Sequence, residues 1–251
     1  MRRKFILLII GLLSVNLLWA LNLTDKKGRK QGEWRKEYPS GQVMYEGKFV
    51  DGVGTLTRYY ESGNIKSVQV FETPQRAQVT MYEEDGKTLL AKGTFLNQKK
   101  EAEWSYYVEG KLSLIEVYNN GKKNGTEKVY TKDGVLMKET PYVQDSIDGM
   151  QKCFLQDGKK LSEISYKKGV LHGSYKLFEG LENPVMEGVY KHGKRDGDWI
   201  VRDEKGKQIE VLQYKDGVLL NDKELKKKYS EQYDKNEQNE GKIMEPDQMF
   251  K

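Results

Sequence analysis

The sequence predicts an all-β fold: an elongated single-layer antiparallel sheet of about eight consecutive β-hairpins, preceded by a signal helix and followed by a short helix. Three observations carry this. Aromatic residues recur regularly, with Phe49, Phe71, Phe95, Tyr118, Tyr142, Tyr166, Tyr190 and Tyr214 at intervals of 22, 24, 23, 24, 24, 24 and 24 residues. Turn glycines keep the same beat at Gly41, Gly63, Gly86, Gly110, Gly134, Gly158 and Gly206. The composition is polar yet aromatic, 37% hydrophobic with 16 Tyr among 251 residues, against roughly 45–50% apolar in ordinary globular domains. A thin sheet with one aromatic face accounts for all three.

At the N-terminus, Arg2, Arg3 and Lys4 precede an apolar run from Phe5 to Leu21. A basic n-region before an apolar h-region is the pattern of a secretory signal, so residues 1–21 read as a signal peptide, with Ala20 as the cleavage candidate. The alternative is an uncleaved N-terminal membrane anchor, because the run nears the length of a span. No Cys follows it, which excludes a lipoprotein anchor. Either way the rest is expected outside the cytoplasm: periplasmic, in the outer envelope, or secreted. Setting those three charges aside leaves 40 basic and 38 acidic residues in place of a net +5. With both signs interleaved, nothing supports a nucleic-acid partner.

Residues 28–220 form the repeat domain. Runs of about six residues rich in Tyr, Phe, Trp, Val, Ile and Thr are separated by turns such as Pro39-Ser-Gly-Gln42 and Lys132-Asp-Gly-Val135, the signature of β-hairpins. In the first unit Trp34, Lys36 and Tyr38 share one face, as do Val43, Tyr45, Gly47 and Phe49 on the returning strand. Glu33, Arg35, Glu46 and Lys48 take the other. The fourth unit is less regular, with Ile115 and Val117 opposite Tyr118. Gly-xxx-Gly joints connect units at Gly28–Gly32, Gly121–Gly125, Gly169–Gly173 and Gly193–Gly197. Asp145–Gly149 is a variant joint, and the one at Asn97-Gln-Lys-Lys100 has lost its glycines. The seventh hairpin turn, Phe178-Glu-Gly-Leu-Glu-Asn-Pro184, is enlarged. Trp34, Phe49, Trp104, Tyr118, Tyr142, Tyr166, Tyr190, Trp199 and Tyr214 are the structural aromatics expected to form a cross-strand ladder, each pair contributing roughly 0.2–1 kcal/mol.

Units such as Gly32-Glu-Trp-Arg-Lys-Glu-Tyr-Pro-Ser-Gly41 with Tyr45-Glu-Gly-Lys-Phe49, and Gly197-Asp-Trp199 with Tyr214-Lys-Asp-Gly217, resemble MORN repeats. More closely they resemble the bacterial MORN-variant group often labelled toxin–antitoxin system antitoxin component. The resemblance implies consecutive hairpins in an extended sheet, and a scaffold or a mediator of protein and phospholipid contacts.

Individual chemistry-bearing residues have structural explanations. His172 and His192 lie 20 residues apart at joints of adjacent units and read as solvated loop positions, not a metal or catalytic pair. Cys153, the only cysteine, reads as a buried structural thiol. Gly121-Lys-Lys-Asn-Gly125 lacks the Lys-Ser/Thr of a phosphate loop. The doublets Tyr59-Tyr60 and Tyr106-Tyr107 place one aromatic on each face of a strand, so one of each pair is expected to be exposed, and these four form the candidate partner-binding surface. Residues 221–235, with Leu225, Tyr229 and Tyr233 at helical spacing, are expected to be a helix capping the last sheet edge. Residues 236–251 form a polar, disordered tail.

The reading is therefore an exported non-enzymatic scaffold in the cell envelope or secreted fraction, with no cofactor and another protein as partner. Its alternatives are a module binding lipid or glycan surfaces, and an antitoxin-like inhibitor of a cognate effector. Membrane contact is expected only through an uncleaved N-terminal segment.

Overall fold

The computed structural model describes residues 21–228. The expected signal segment with Ala20, the tail, and the later part of the capping helix with Tyr229 and Tyr233 lie outside the described residues. The chain forms two compact units that divide between Lys87 and Thr88.

In the first unit, β1 (Leu23–Thr24), β2 (Lys30–Glu37), β3 (Val43–Val50), β4 (Val53–Tyr59), β5 (Ile65–Phe71) and β6 (Arg76–Tyr82) pair antiparallel, each with the next. The second unit opens with β7 (Leu89–Leu96), β8 (Lys99–Val108) and β9 (Lys111–Asn119). It continues through β10 (Lys122–Lys123), β11 (Gly125–Tyr130), β12 (Leu136–Val143), β13 (Ser146–Ile147), β14 (Gly149–Phe154) and β15 (Lys160–Lys167). It closes with β16 (Val170–Leu177), β17 (Met186–Lys191), β18 (Lys194–Arg202), β19 (Gln208–Lys215), β20 (Val218–Leu219) and the helix α1 (Asp222–Lys228). Its strands pair antiparallel in chain order, with β10–β11 and β13–β14 each serving as one interrupted strand. The result is the predicted open, all-β hairpin sheet, almost without helix.

Two kinds of turn recur along the chain. Tips such as Tyr38–Gln42 are three-residue loops in which the Tyr38 N–H donates to the Gln42 carbonyl at 2.8 Å and Gly41 sits at φ 86°, a type I turn closed by a left-handed residue. Joints are two-residue turns with both residues at positive φ: Asp51–Gly52 (52° and 81°), Asn120–Gly121 (51° and 84°) and Asn97–Gln98 (49° and 64°) among them. This is the type I′ turn, whose twist matches the flanking strands. Six joints also lock onto the ones before them. The N–H groups of Gly52, Gly121, Asp145, Gly169, Gly193 and Gly217 donate to the carbonyls of Lys30, Lys100, Lys123, Ile147, Leu171 and Arg195 at 2.7–2.9 Å. The repeat period thus has a physical cause: one hairpin advances the chain from one docked joint to the next.

The buried face is a cross-strand ladder. In the first unit it runs through Phe49, Leu56, Ala77 and Val79, all at most 4% exposed, with the Phe49 ring 5.4 Å from Phe71 and 6.0 Å from Trp34. In the second unit a core cluster joins Ile164, Tyr175, Leu177, Tyr190 and Trp199. Trp104 and Trp199, 1% and 0% exposed, lie flat against Gly93 and Gly188 on the preceding strand. A β-carbon at either glycine would stand 2.3 Å from the indole.

Of the expected capping helix, the described residues include α1 (Asp222–Lys228), and the rest lies outside them. Its entry residue Asn221 accepts the Gln213 N–H at 3.0 Å and donates to the Val211 carbonyl at 2.8 Å, so its amide replaces a strand peptide on β19. Asn22 does the same for β2, accepting the Arg35 N–H at 3.1 Å and donating to its carbonyl at 2.9 Å.

Candidate functional site

The four candidate tyrosines do not present exposed rings. Tyr59, Tyr60, Tyr106 and Tyr107 are all half-buried, because long side chains on adjacent strands, roughly 4.8 Å away, lie against them. The Tyr59 hydroxyl donates to Glu46 Oε1 at 2.7 Å, and the Tyr60 hydroxyl to the Tyr82 carbonyl at 2.8 Å. Lys92 Nζ stands 5.8 Å from the Tyr107 ring, and Lys100 contacts Tyr106 from below the aromatic ladder.

Accessible functional groups lie instead on the outer face, opposite the aromatic ladder. In the first unit Glu33 pairs with Lys48, and Arg35 with Glu46, across β2 and β3. With Thr55 and Thr57 they line a concavity of about 370 Å³ bordered by Trp34 and Gly47. In the second unit one outer row crosses six consecutive strand positions as Lys128, Glu139, Lys152, Glu163, Lys176 and Glu187, each the register partner of the next. The Lys128–Glu139 and Lys176–Glu187 contacts are loose, at 3.8 and 3.9 Å, and their lysines are 41% and 42% exposed. The outer face is not uniformly charged, as composition suggests. Val50, Val143, Val170, Val189 and Val218, flanking or near the joints, are 47–68% exposed.

Charge also penetrates the buried face, in a form the sequence reading missed. Lys30 Nζ lies 4.3–5.0 Å from the centroids of Trp34, Phe49 and Phe71. Lys100 sits 4.8–5.0 Å from Trp104, Tyr106 and Tyr118. Arg195 is 4.7 Å from Trp199 and 5.3 Å from Tyr214. In all three the cation stands four residues before a Trp (Lys30-Gln-Gly-Glu-Trp34, Lys100-Glu-Ala-Glu-Trp104, Arg195-Asp-Gly-Asp-Trp199), the signal that could have revealed it. Desolvation, reinforced by Arg58, lowers the pKa of Lys30. Burial likewise lowers that of Lys100, opposed by Glu116.

Between β9 and β14 the ladder itself becomes polar. Glu116 occupies the register of the glycine platform, and Glu127 that of the Trp. Lys123 Nζ bridges them at 2.5 and 2.6 Å, and the Tyr118 hydroxyl donates to Glu116 Oε2 at 2.6 Å. Burial acts to raise the Glu116 pKa, but hydrogen bonds from Lys123, Tyr118 and Tyr106 outweigh it and hold the pKa below its ordinary value. Lys123 moves upward: desolvation opposes the shift, and both carboxylates override it. The next rung is the Gln151–Thr140 hydrogen bond of 3.2 Å. These groups neutralise one another inside the sheet and build a polar core step.

The two histidines are not separate. Docking of Gly193 on Leu171 carries the His192 turn to β16, and the rings of His172 and His192 meet edge to face at 5.1 Å. His192 is exposed as expected and His172 half-buried. Two imidazoles are fewer than the three protein ligands of a typical zinc centre, and no group of three or more His, Cys, Asp or Glu converges among the described residues. Cys153 is 2% exposed, and burial raises its thiol pKa.

Stacked hairpins with docked joints, one aromatic face and one open charged face define a repeat-built binding or scaffold module. The family model described as MORN repeat variant matches residues 30–51, 53–72 and 123–144. Each segment corresponds to one hairpin taken from joint to joint, so these three units are similar to MORN repeat variants, a class that is generally non-catalytic. The β8–β9 hairpin and its successors share the same strand pattern. No curated protein matches the chain.

Proposed function

We propose that this chain is an exported, non-enzymatic protein-interaction scaffold of the cell envelope or secreted fraction, and that its contacting surface is the outer face of the sheet. The observation that carries the reading is the division of labour between faces. The aromatic side chains that typically anchor interfaces are committed to the inner ladder, whereas the outer face offers ordered rows of loosely paired charges beside exposed valines. Export rests on the basic and apolar N-terminal run.

Cell fractionation followed by lysine-directed crosslinking tests both parts. The expected result is the chain in the envelope or medium, with crosslinked peptides from a protein partner joined to outer-face lysines such as Lys48 and Lys152. Recovery in the cytoplasm overturns the export assignment. Retention on anionic vesicles but by no protein, abolished by salt, replaces the scaffold with a lipid-surface module.

A further inference from the structure

The outer row of the second unit has a symmetry that its cross-strand pairing alone does not require. Read across the sheet it is Ile115, then Lys128, Glu139, Lys152, Glu163, Lys176 and Glu187, then Ile200, each the register partner of its neighbour. Reversing this order exchanges every Lys with a Glu and each Ile with the other. An odd number of alternating charges would instead place like charge on like charge when reversed.

We infer that this face binds a second copy of the chain, face to face, about a two-fold axis parallel to the strands and passing between β14 and β15. The inference rests on the reading of the outer face as the contacting surface and names its partner. The axis sets Lys152 against Glu163 of the second copy, Glu139 against Lys176, Lys128 against Glu187, and Ile115 against Ile200. Because rotation about a strand-parallel axis keeps the joint side on the joint side, the exposed Met150 and Val189 meet the corresponding strip of the other copy. A two-fold contact is self-complementary by construction, and this row meets that demand in charge. Lys160 adds to Glu163 at 2.8 Å, and Arg202 to Glu187, from the tip side of the row. Eight positions separated by seven spacings of about 4.8 Å give a contact roughly 34 Å long. At about 15–20 Å wide it covers roughly 500–700 Å² per copy, near the lower end of stable interfaces. A contact of this size held by charge pairs is expected to weaken with salt.

The test uses sedimentation equilibrium of the full chain and two variants. Glu163→Lys puts Lys against Lys at the centre and is expected to weaken dimerisation about tenfold or more. The decisive variant inverts all six charges, Lys128, Lys152 and Lys176 to Glu and Glu139, Glu163 and Glu187 to Lys. It preserves every opposite-charge neighbour along the row, and Lys160→Glu and Arg202→Glu are added to it to keep the flanking ion pairs to positions 163 and 187, so it is expected to fold and to self-associate like the original. Mixed with the original chain it is expected to form no heterodimer, since every facing pair becomes like-charged. Free mixing of the two overturns the inference, as does a wild-type chain that stays monomeric at several hundred micromolar at low salt. If the chain is monomeric while foreign proteins crosslink to its outer face, only this inference falls. If no protein of any kind crosslinks there, the scaffold reading falls with it.

Discussion

Trp104 and Trp199 are buried because the residues facing them have no side chain. Gly93 and Gly188 are not at positive φ, so alanine fits their backbone and only the indole stands in its way. Gly93→Ala and Gly188→Ala are each expected to cost about 1–3 kcal/mol in urea unfolding, and Trp104→Leu is expected to recover part of the Gly93→Ala loss. The Asn97–Gln98 joint gives the opposite case. Gln98 holds φ 64°, a conformation that costs a side-chain-bearing residue roughly 1–2 kcal/mol, while introducing glycine costs about 0.4–1 kcal/mol through the unfolded chain. Gln98→Gly is therefore expected to stabilise the protein by several tenths of a kcal/mol to about 1, read as a higher urea midpoint. The joint was visible in the sequence as a place where glycines were missing. The Trp platforms were not, because Gly93 and Gly188 fall within strand-like runs where a lone glycine signals only close approach.

Among the strands, β9, β11, β12 and β14 stand out because their inner rungs are Glu116, Glu127, Thr140 and Gln151 instead of aromatic and aliphatic residues. The sequence showed the irregularity, with Ile115 and Val117 on the face opposite Tyr118. It did not show that Lys123 would bridge two carboxylates, since that depends on the register of three strands. Glu116 has a lower pKa folded than unfolded, so its ionised form contributes stability above the ordinary carboxylate range, about 4.3. That contribution is lost as pH falls through the lowered folded value. Urea unfolding between pH 7 and pH 3 is expected to show a steep loss in the wild type and a shallower one in Glu116→Gln; equal slopes would detach Glu116 from acid sensitivity. Cys153, on β14 and 2% exposed, is expected to stay unreactive towards a thiol reagent until urea opens its strand.

Across the whole chain, hairpin order, the repeat beat and the joints were legible because each is a local property of turn chemistry and period-two alternation. The faces of the tyrosine doublets were legible too, but their burial was not, because it depends on Glu46 and Lys92 reaching across from neighbouring strands. The means of edge protection was hidden: Asn22 looks like an ordinary loop residue and Asn221 like the start of the capping helix, yet each amide bonds an N–H and a carbonyl of a strand edge. Asn22→Ala is expected to speed amide hydrogen exchange at Arg35 about tenfold or more, and Asn221→Ala to do so at Gln213. The central claim is that the outer face makes the contacts while the aromatic face is closed. A photoreactive residue placed at Lys152 on the outer face, and separately at Ile164 on the inner ladder, tests it most directly in cells producing the protein. The account predicts adducts to protein from position 152 and only internal crosslinks from position 164. Adducts to other molecules from position 164, with none from position 152, would contradict it.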